Sequence, residues 1–347
     1  MKSSFLSFAF LASASLFAQT AAPKAPVKPK GPVVPADAQW HDVTTWGVEG
    51  RGWGDQERKR WFDRFPAKAE KTVTPAVWGL SRDSAGMMVR FKTNATAIHV
   101  HYKVLKPTLG MPHMPATGVS GLDLYARDKD GKWRWVQVVR PTAQEMKVRI
   151  AENLDPGERE YALYLPLYNG VEFLHVGVTE GKKFEGLKPR AKPVVFYGTS
   201  ITHGACASRP GMVHTAILGR RFDRSVINLG FSGNGRMDAA VGDLINELDA
   251  SAIVIDCLPN MQPADVTAKC VPLGKQLRSK HAKTPIIPLT EWPTKTTSFK
   301  LSASITSMSE IGFLRSGAFS VTLSTGPICS LRTRSTIFSF RLCSSQY

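Results

Sequence analysis

Two rhythms of apolar and polar residues divide the chain near residue 188. From about Trp40 to Glu185, short runs alternate: Met87–Lys92 and Ala97–Val104 put apolar residues at every second position. Period-two alternation sends successive side chains to opposite faces of a strand. Lys129-Asp130-Gly131 separates the runs Leu122–Arg127 and Trp133–Val139 and is a hairpin signal. Asn169-Gly170 separates Tyr161–Leu167 from Val171–Val178 in the same way. Many short strands with turns between them predict an antiparallel β-sandwich over 39–187. After Lys188 the rhythm changes to continuous apolar runs that alternate with helical periods. The strands are Val194–Tyr197, Val226–Leu229, Ala252–Leu258 and Pro285–Leu289. Between them lie helices at Met212–Arg221, Ala239–Leu248 and Asp265–Lys280. Strands alternating with helices form βαβ units, so 188–287 is expected to be a three-layer α/β/α domain around a parallel sheet.

The two ends of the chain have other textures. Lys2 followed by the apolar run to Ala18 reads as a secretory signal peptide over 1–18. A membrane anchor is the alternative, but the run is short for a span. Residues 19–38 are rich in Pro, Ala and Lys and suit an extended linker. The expectation is a secreted or periplasmic protein with no membrane partner. The formal charge of +17 resembles a nucleic-acid signal, but residues 1–36 and 288–347 contribute +4 each and the remaining +9 is well mixed. No dense basic stripe with interleaved aromatics is present, so no nucleic-acid partner is expected. Cys206, Cys257, Cys270, Cys329 and Cys343 are too scattered for a disulfide framework or a zinc pattern. Export would permit a disulfide among the first three, with no pair favoured. His99 and His101 share a strand face without a third metal ligand and read as a surface pair. Trp40, Trp46, Trp53 and Trp61 could stack sugars, although core packing is the plainer reading.

The chemistry gathers at three strand ends. The first apolar run breaks at Gly198 into Thr199-Ser200-Ile201-Thr202-His203-Gly204; the second ends in Gly230-Phe231-Ser232-Gly233-Asn234-Gly235; the third ends in Asp256-Cys257-Leu258-Pro259-Asn260-Met261. Parallel strands bring these loops to one edge of the sheet, where open α/β sheets bind ligands. A Gly-Thr-Ser turn alone is more simply a helix-capping serine. Three such loops in order instead converge a hydroxyl, a glycine amide and a side-chain amide, which are the parts of an acyl-transfer site. The Gly-x-Ser-x-Gly elbow is excluded because Thr202 holds the last glycine position. A P-loop is excluded because Ala205-Cys206 follow Gly204, and the second loop's glycines do not make the dinucleotide fingerprint.

Together these loops resemble the first three blocks of the SGNH (GDSL-like) hydrolase superfamily. Gly121-Leu122-Asp123-Leu124-Tyr125 resembles the Gly-x-Asp-Leu-Tyr motif of the branch that carries a preceding β-rich domain. The resemblance implies a flavodoxin-like α/β domain and a carboxylic-ester hydrolase without metal or organic cofactor. It implies that Ser200 is the nucleophile, and that Ser200 N–H, Gly233 N–H and Asn260 form the oxyanion hole. It would also require an Asp-x-x-His block near the C-terminus, but no Asp follows Asp265 and no His follows His281. His203 is a weak substitute for the base, expected to line the loop mouth. Roughly a third of 288–347 is Ser or Thr, an anomalous tail that we read as frame-shifted, with a divergent or disordered tail as the alternative. The expected activity is ester hydrolysis on a small ester or an acylated carbohydrate, impaired by the missing base. Two alternatives stand beside it: a non-catalytic carbohydrate-binding protein with a degenerate hydrolase domain and, more weakly, a nucleotide-binding domain. The oligomeric state is not legible.

Overall fold

The computed structural model describes residues 38–54 and 56–289, and beyond them the backbone of three short strands. The expected signal peptide, all of the linker but Ala38, which begins the first strand, and most of the anomalous tail lie outside the described residues.

The β-rich region holds β1 (Ala38–Asp42), α1 (Pro75–Ser81), β2 (Met88–Thr93), β3 (Ile98–Val104), α2 (Ala116–Val119), β4 (Asp123–Arg127), β5 (Trp133–Val138), β6 (Glu145–Ala151), β7 (Arg159–Tyr164), β8 (Val171–Thr179) and β9 (Phe184–Leu187). They form two antiparallel sheets, β1-β8-β3-β6 and β5-β4-β7-β2-β9. The core between them takes Val89, Phe91, Leu124 and Leu163 from one sheet and Val100, Tyr102, Leu174 and Val176 from the other. Alternation along each strand supplies these inward residues. Gly131, with φ +74°, closes the β4–β5 hairpin.

One turn differs from the sequence reading. Asn169-Gly170 does not close a hairpin, because β7 and β8 belong to different sheets. Asn169 is instead a buried corner. Its Oδ1 accepts Lys106 N–H at 2.8 Å, and its Nδ2 donates to Lys106 O and Ser120 Oγ, both at 3.0 Å. A side chain at Gly170 would strike Arg82 O and Leu105. Turn composition alone does not separate a hairpin from a crossing between sheets.

The second region holds β10 (Val194–Gly198), α3 (Ser200–His203), α4 (His214–Phe222), β11 (Val226–Gly230), α5 (Ala239–Ile245), β12 (Ala252–Asp256), α6 (Pro263–Lys280) and β13 (Ile286–Pro288). All four strands are parallel, in the order β11-β10-β12-β13. Their nearly unbroken apolar sequences fit burial on both faces. One face packs Val195, Tyr197, Ile253 and Ile255 under α5 and α6. Trp53, Phe65, Val73, Val77 and Trp78 join this same cluster, so the segment 53–81 covers part of the parallel sheet although it lies between the sandwich strands β1 and β2. The other face packs Phe196, Val226 and Val254 with Leu218 of α4. Cys257 and Cys270 are buried free thiols, and Cys206 is an exposed one. Near the C-terminus, β14 (Ser320–Leu323), β15 (Ile328–Arg332) and β16 (Ile337–Arg341) pair as an antiparallel meander.

Candidate active site

The parallel sheet reverses its winding at β10, which lies between β11 and β12. The crevice outside the carboxyl ends of such strands is the switch point where α/β folds place ligands. Gly198, Gly230 and Asp256 end their strands in register, so the three loops start from one level. Thr199 caps α3, its Oγ1 accepting Ile201 N–H at 3.3 Å. Ser200 is the first residue of that single turn. Its carbonyl accepts Gly204 N–H at 2.9 Å and Ala205 N–H at 2.8 Å. Gly204 ends the turn in the left-handed region, with φ +113°. Among the described residues, the Ser200 hydroxyl has no hydrogen-bond partner.

Backbone contacts knit the three loops together. Phe231 N–H donates to Gly198 O at 2.9 Å, and Thr199 N–H donates to Asp256 O at 3.2 Å. Thr202 Oγ1 donates to Asp256 Oδ2 at 2.8 Å and ties α3 to the end of β12. Gly235 lies so close to Gly198 O that a Cβ could not fit. Asn234 and Gly235 both donate N–H to Phe231 O at 2.8 Å, which makes Gly233 the crest of the second loop. Gly233 has φ +71° and open space where a side chain would be. Its N–H has no backbone acceptor among the described residues. Asn260 ends a 3-10 turn over Leu258–Asn260, and its Nδ2 is buried with no partner among the described residues. A buried donor without an acceptor is costly, and a ligand oxygen would satisfy it. Thus two donors without acceptors sit on loops flanking the loop of Ser200.

His203 sits differently from the sequence expectation. The ring does not line the loop mouth but is fully buried. It stacks on Tyr168 with centroids 4.1 Å apart, and its Nε2 lies 3.6 Å from Asp83 Oδ2. Its main chain lies against Gly230, where a Cβ would collide. Burial, helped by the Arg64 charge, holds its pKa well below the ordinary histidine value. Asp83 is pushed up by burial against the opposing pull of Lys106, whose Nζ is 2.5 Å away. His214 is pushed down to about 4 by burial. The buried His281 ring faces Ile245 O at 3.3 Å. No described histidine reaches the Ser200 hydroxyl by a hydrogen bond.

The β-rich region forms the wall behind Ser200. Asp123 is fully buried. Its Oδ2 accepts Gly211 N–H at 2.8 Å and its Oδ1 accepts Trp135 Nε1–H at 2.9 Å. Burial pushes this carboxyl up to about 6 despite those donors. Thr117 Oγ1 donates to Ser208 O at 2.6 Å. Gly118 packs on Ala207 O, and Leu167 packs on Gly204. The whole segment from Gly204 to Gly211, which follows the Ser200 turn, therefore rests on α2, β4 and the chain after β7. On the other loop, the fully buried Arg64 donates from Nη1 to Asn228 O and Gly230 O, each at 2.9 Å. Burial pulls its guanidinium down to about 10, so it is charged at neutral pH. The sequence signals for these wall residues are slight. Asp123 stands in a motif that marks the domain without stating its contact, and Arg64 lies in a stretch with no period.

The other flagged residues lie elsewhere. His101 bonds Glu145 at 2.8 Å, while His99 is fully buried beside Trp40, so the two are not a surface pair. Trp53 donates its indole N–H to Leu244 O at 3.0 Å inside the parallel-sheet core. Trp46 and Trp61 pack against the sandwich core.

The GxDLY model, "N-terminus of Esterase_SGNH_hydro-type", matches residues 38–184. The model of the "GDSL-like Lipase/Acylhydrolase family" matches residues 191–314. A crystal structure assigned as a GDSL-like lipase from Bacteroides ovatus ATCC 8483 is 32% identical, covering 79% of this chain and 81% of that one with a TM-score of 0.70. This chain belongs to the GDSL-like lipase/acylhydrolase family. It is a member of the SGNH branch with an N-terminal GxDLY domain. The salicylyl-acyltransferase SsfX3 from a tetracycline biosynthetic pathway shares the fold at 22% identity, with 73% of this chain and 72% of that one covered and a TM-score of 0.57. No curated protein matches the chain. Membership establishes an ester-hydrolase lineage for this GDSL-like protein, and the wall just described is therefore its GxDLY domain.

Proposed function

We propose that this GDSL-like hydrolase is an exported serine esterase in which Ser200 attacks the carbonyl carbon of an ester. The observation that carries the reading is a pair of donors, Gly233 N–H and Asn260 Nδ2, that have no acceptor among the described residues and sit on loops flanking that of Ser200. As the Ser200 Oγ–carbon bond forms, the carbonyl oxygen becomes an oxyanion. Ser200 N–H, Gly233 N–H and Asn260 Nδ2–H would donate to it. Collapse of the intermediate expels the alcohol and leaves an acyl-serine, which water hydrolyses. The proton leaving Ser200 needs a base, and the described histidines do not supply one. The rate should therefore be low for a triad enzyme, although oxyanion stabilisation alone retains part of the catalysis. The export reading rests on the Lys2-to-Ala18 run. With an added β-rich domain, export supports an O-acetylated carbohydrate as substrate.

The second reading is a carbohydrate-binding protein without turnover, favoured by the Ser200 hydroxyl having no hydrogen-bond partner among the described residues. Hydrolysis of a small acetyl ester without added metal separates the two. The esterase reading expects slow turnover that Ser200→Ala removes. Turnover unchanged in Ser200→Ala would refute it, and none at all in folded protein would favour the second reading.

A further inference from the structure

We infer that Arg64, contributed by the segment between β1 and β2, is a positioning residue for the loop that presents Gly233. This rests on the reading of Gly233 N–H as an oxyanion donor. Among the described residues, the strand β11 is the edge of the parallel sheet and pairs only with β10. Carbonyls two residues apart on a strand point the same way, so the outer edge of β11 presents a row of acceptors with no neighbouring strand. Asn228 O and Gly230 O are two of these. The Arg64 guanidinium satisfies both at 2.9 Å and so takes the place of a missing strand. It is anchored from behind by Nη2 donating to Leu80 O at 2.6 Å and by Arg64 N–H donating to Ser81 O at 2.9 Å.

From Gly230 the constraint passes directly into the loop. Phe231 follows, with its ring centroid 5.0 Å from the guanidinium carbon and its N–H on Gly198 O. Phe231 O then accepts both N–H groups that fold the turn around Gly233. A crest glycine with open space beside it has no side chain of its own to hold it in place. Its donor direction depends on the two residues that Arg64 pins. Filling this site does not by itself call for a guanidinium, since burying a charge is unfavourable and an apolar chain would occupy the volume. Its nearest carboxylate in electrostatic terms, Asp83, is already bound by Lys106. What a guanidinium supplies, and an apolar chain does not, is a rigid fork of donors for fixed carbonyls.

The test uses the full chain and a serine-directed phosphonate, whose adduct mimics the tetrahedral intermediate. Saturation kinetics separate its apparent affinity from its maximal labelling rate. Hydrogen exchange reports the amides of 231–235. Arg64→Ala should lower the maximal rate by about tenfold to a hundredfold, as expected for a misplacement of order 1 Å, with apparent affinity little changed. Exchange at 231–235 should quicken while that of β3 and β8 stays as in wild type. Millimolar guanidinium should restore part of both. Arg64→Lys, which keeps the charge without the fork, should fall between. If Arg64→Ala does not fold, Arg64→Lys decides: wild-type labelling and exchange in that variant would overturn the inference. So would an Arg64→Ala protein that matches wild type, or one whose loss spreads to β3 and β8 and is not restored by guanidinium. If wild type is not labelled at Ser200, the oxyanion reading fails, and the exchange data still decide whether Arg64 holds the loop.

Discussion

The candidate site has a front and a back, and they are held by different physics. The front is three strand-end loops of one parallel sheet. Register pairing at Gly198, Gly230 and Asp256 sets their level, and backbone bonds such as Phe231 N–H to Gly198 O set their spacing. The back is the GxDLY domain, including its segment between β1 and β2. There, single buried polar side chains make the contacts: Asp123 on Gly211, Arg64 on β11, and the Tyr168 and Asp83 pair around His203. A sheet delivers groups to the right place through repeated hydrogen bonds, each of small net effect. The wall holds those groups with a few buried polar contacts, each costly to break. Chemistry should therefore be sensitive to the front and rigidity to the back.

The largest effect should come from the front. Asn260→Ala removes one proposed oxyanion donor and should lower kcat/KM for a small ester by roughly 10²–10³-fold, or about 2.7–4 kcal/mol, with little change in Tm. A Tm loss as large as that of a core variant would place Asn260 in the scaffold instead. A smaller effect, on stability first, is expected from Asp123→Ala. It leaves the buried Gly211 N–H without its acceptor, whereas the Trp135 indole can turn to water, so unfolding should be easier by about 1–3 kcal/mol. An unchanged denaturation midpoint would mean that the wall does not depend on this contact.

The smallest effect concerns pH. His214 titrates near 4 in the fold, against an ordinary value of 6.5, because of burial. Between those values the unfolded chain binds more protons than the folded one. Stability from this group is therefore complete above about pH 6.5 and is lost as pH falls toward 4, by at most about 1.4 kcal/mol per unit. His214→Gln should then lose less stability than wild type between pH 7 and pH 5. Asp123 acts in the opposite sense. Its raised folded pKa favours the fold below about 4, an effect lost as pH rises through about 6. The comparison with the variant isolates the histidine, and equal losses would contradict the assignment.

Legibility followed the same front-to-back division. Unbroken apolar runs ending in Gly198, Gly230 and Asp256 exposed the strands and the loops with Ser200, Gly233 and Asn260, because a parallel sheet writes itself as local pattern. Alternation at Met87–Lys92 and Ala97–Val104 exposed the sandwich for the same reason. The wall was hidden. Arg64 to Gly230 spans 166 residues, and Asp123 to Gly211 spans 88. A single polar residue bonded across such a distance leaves no period. His203 misled because its closeness to Ser200 in sequence says nothing about which way one helical turn faces. Asn169-Gly170 misled because turn chemistry does not reveal which sheet receives the next strand.

The most direct measurement is peptide mapping of the phosphonate adduct on wild-type protein and on Ser200→Ala. The account predicts one adduct, on the peptide that carries Ser200, lost in Ser200→Ala and slowed in Asn260→Ala. An adduct on another serine that survives Ser200→Ala would contradict it.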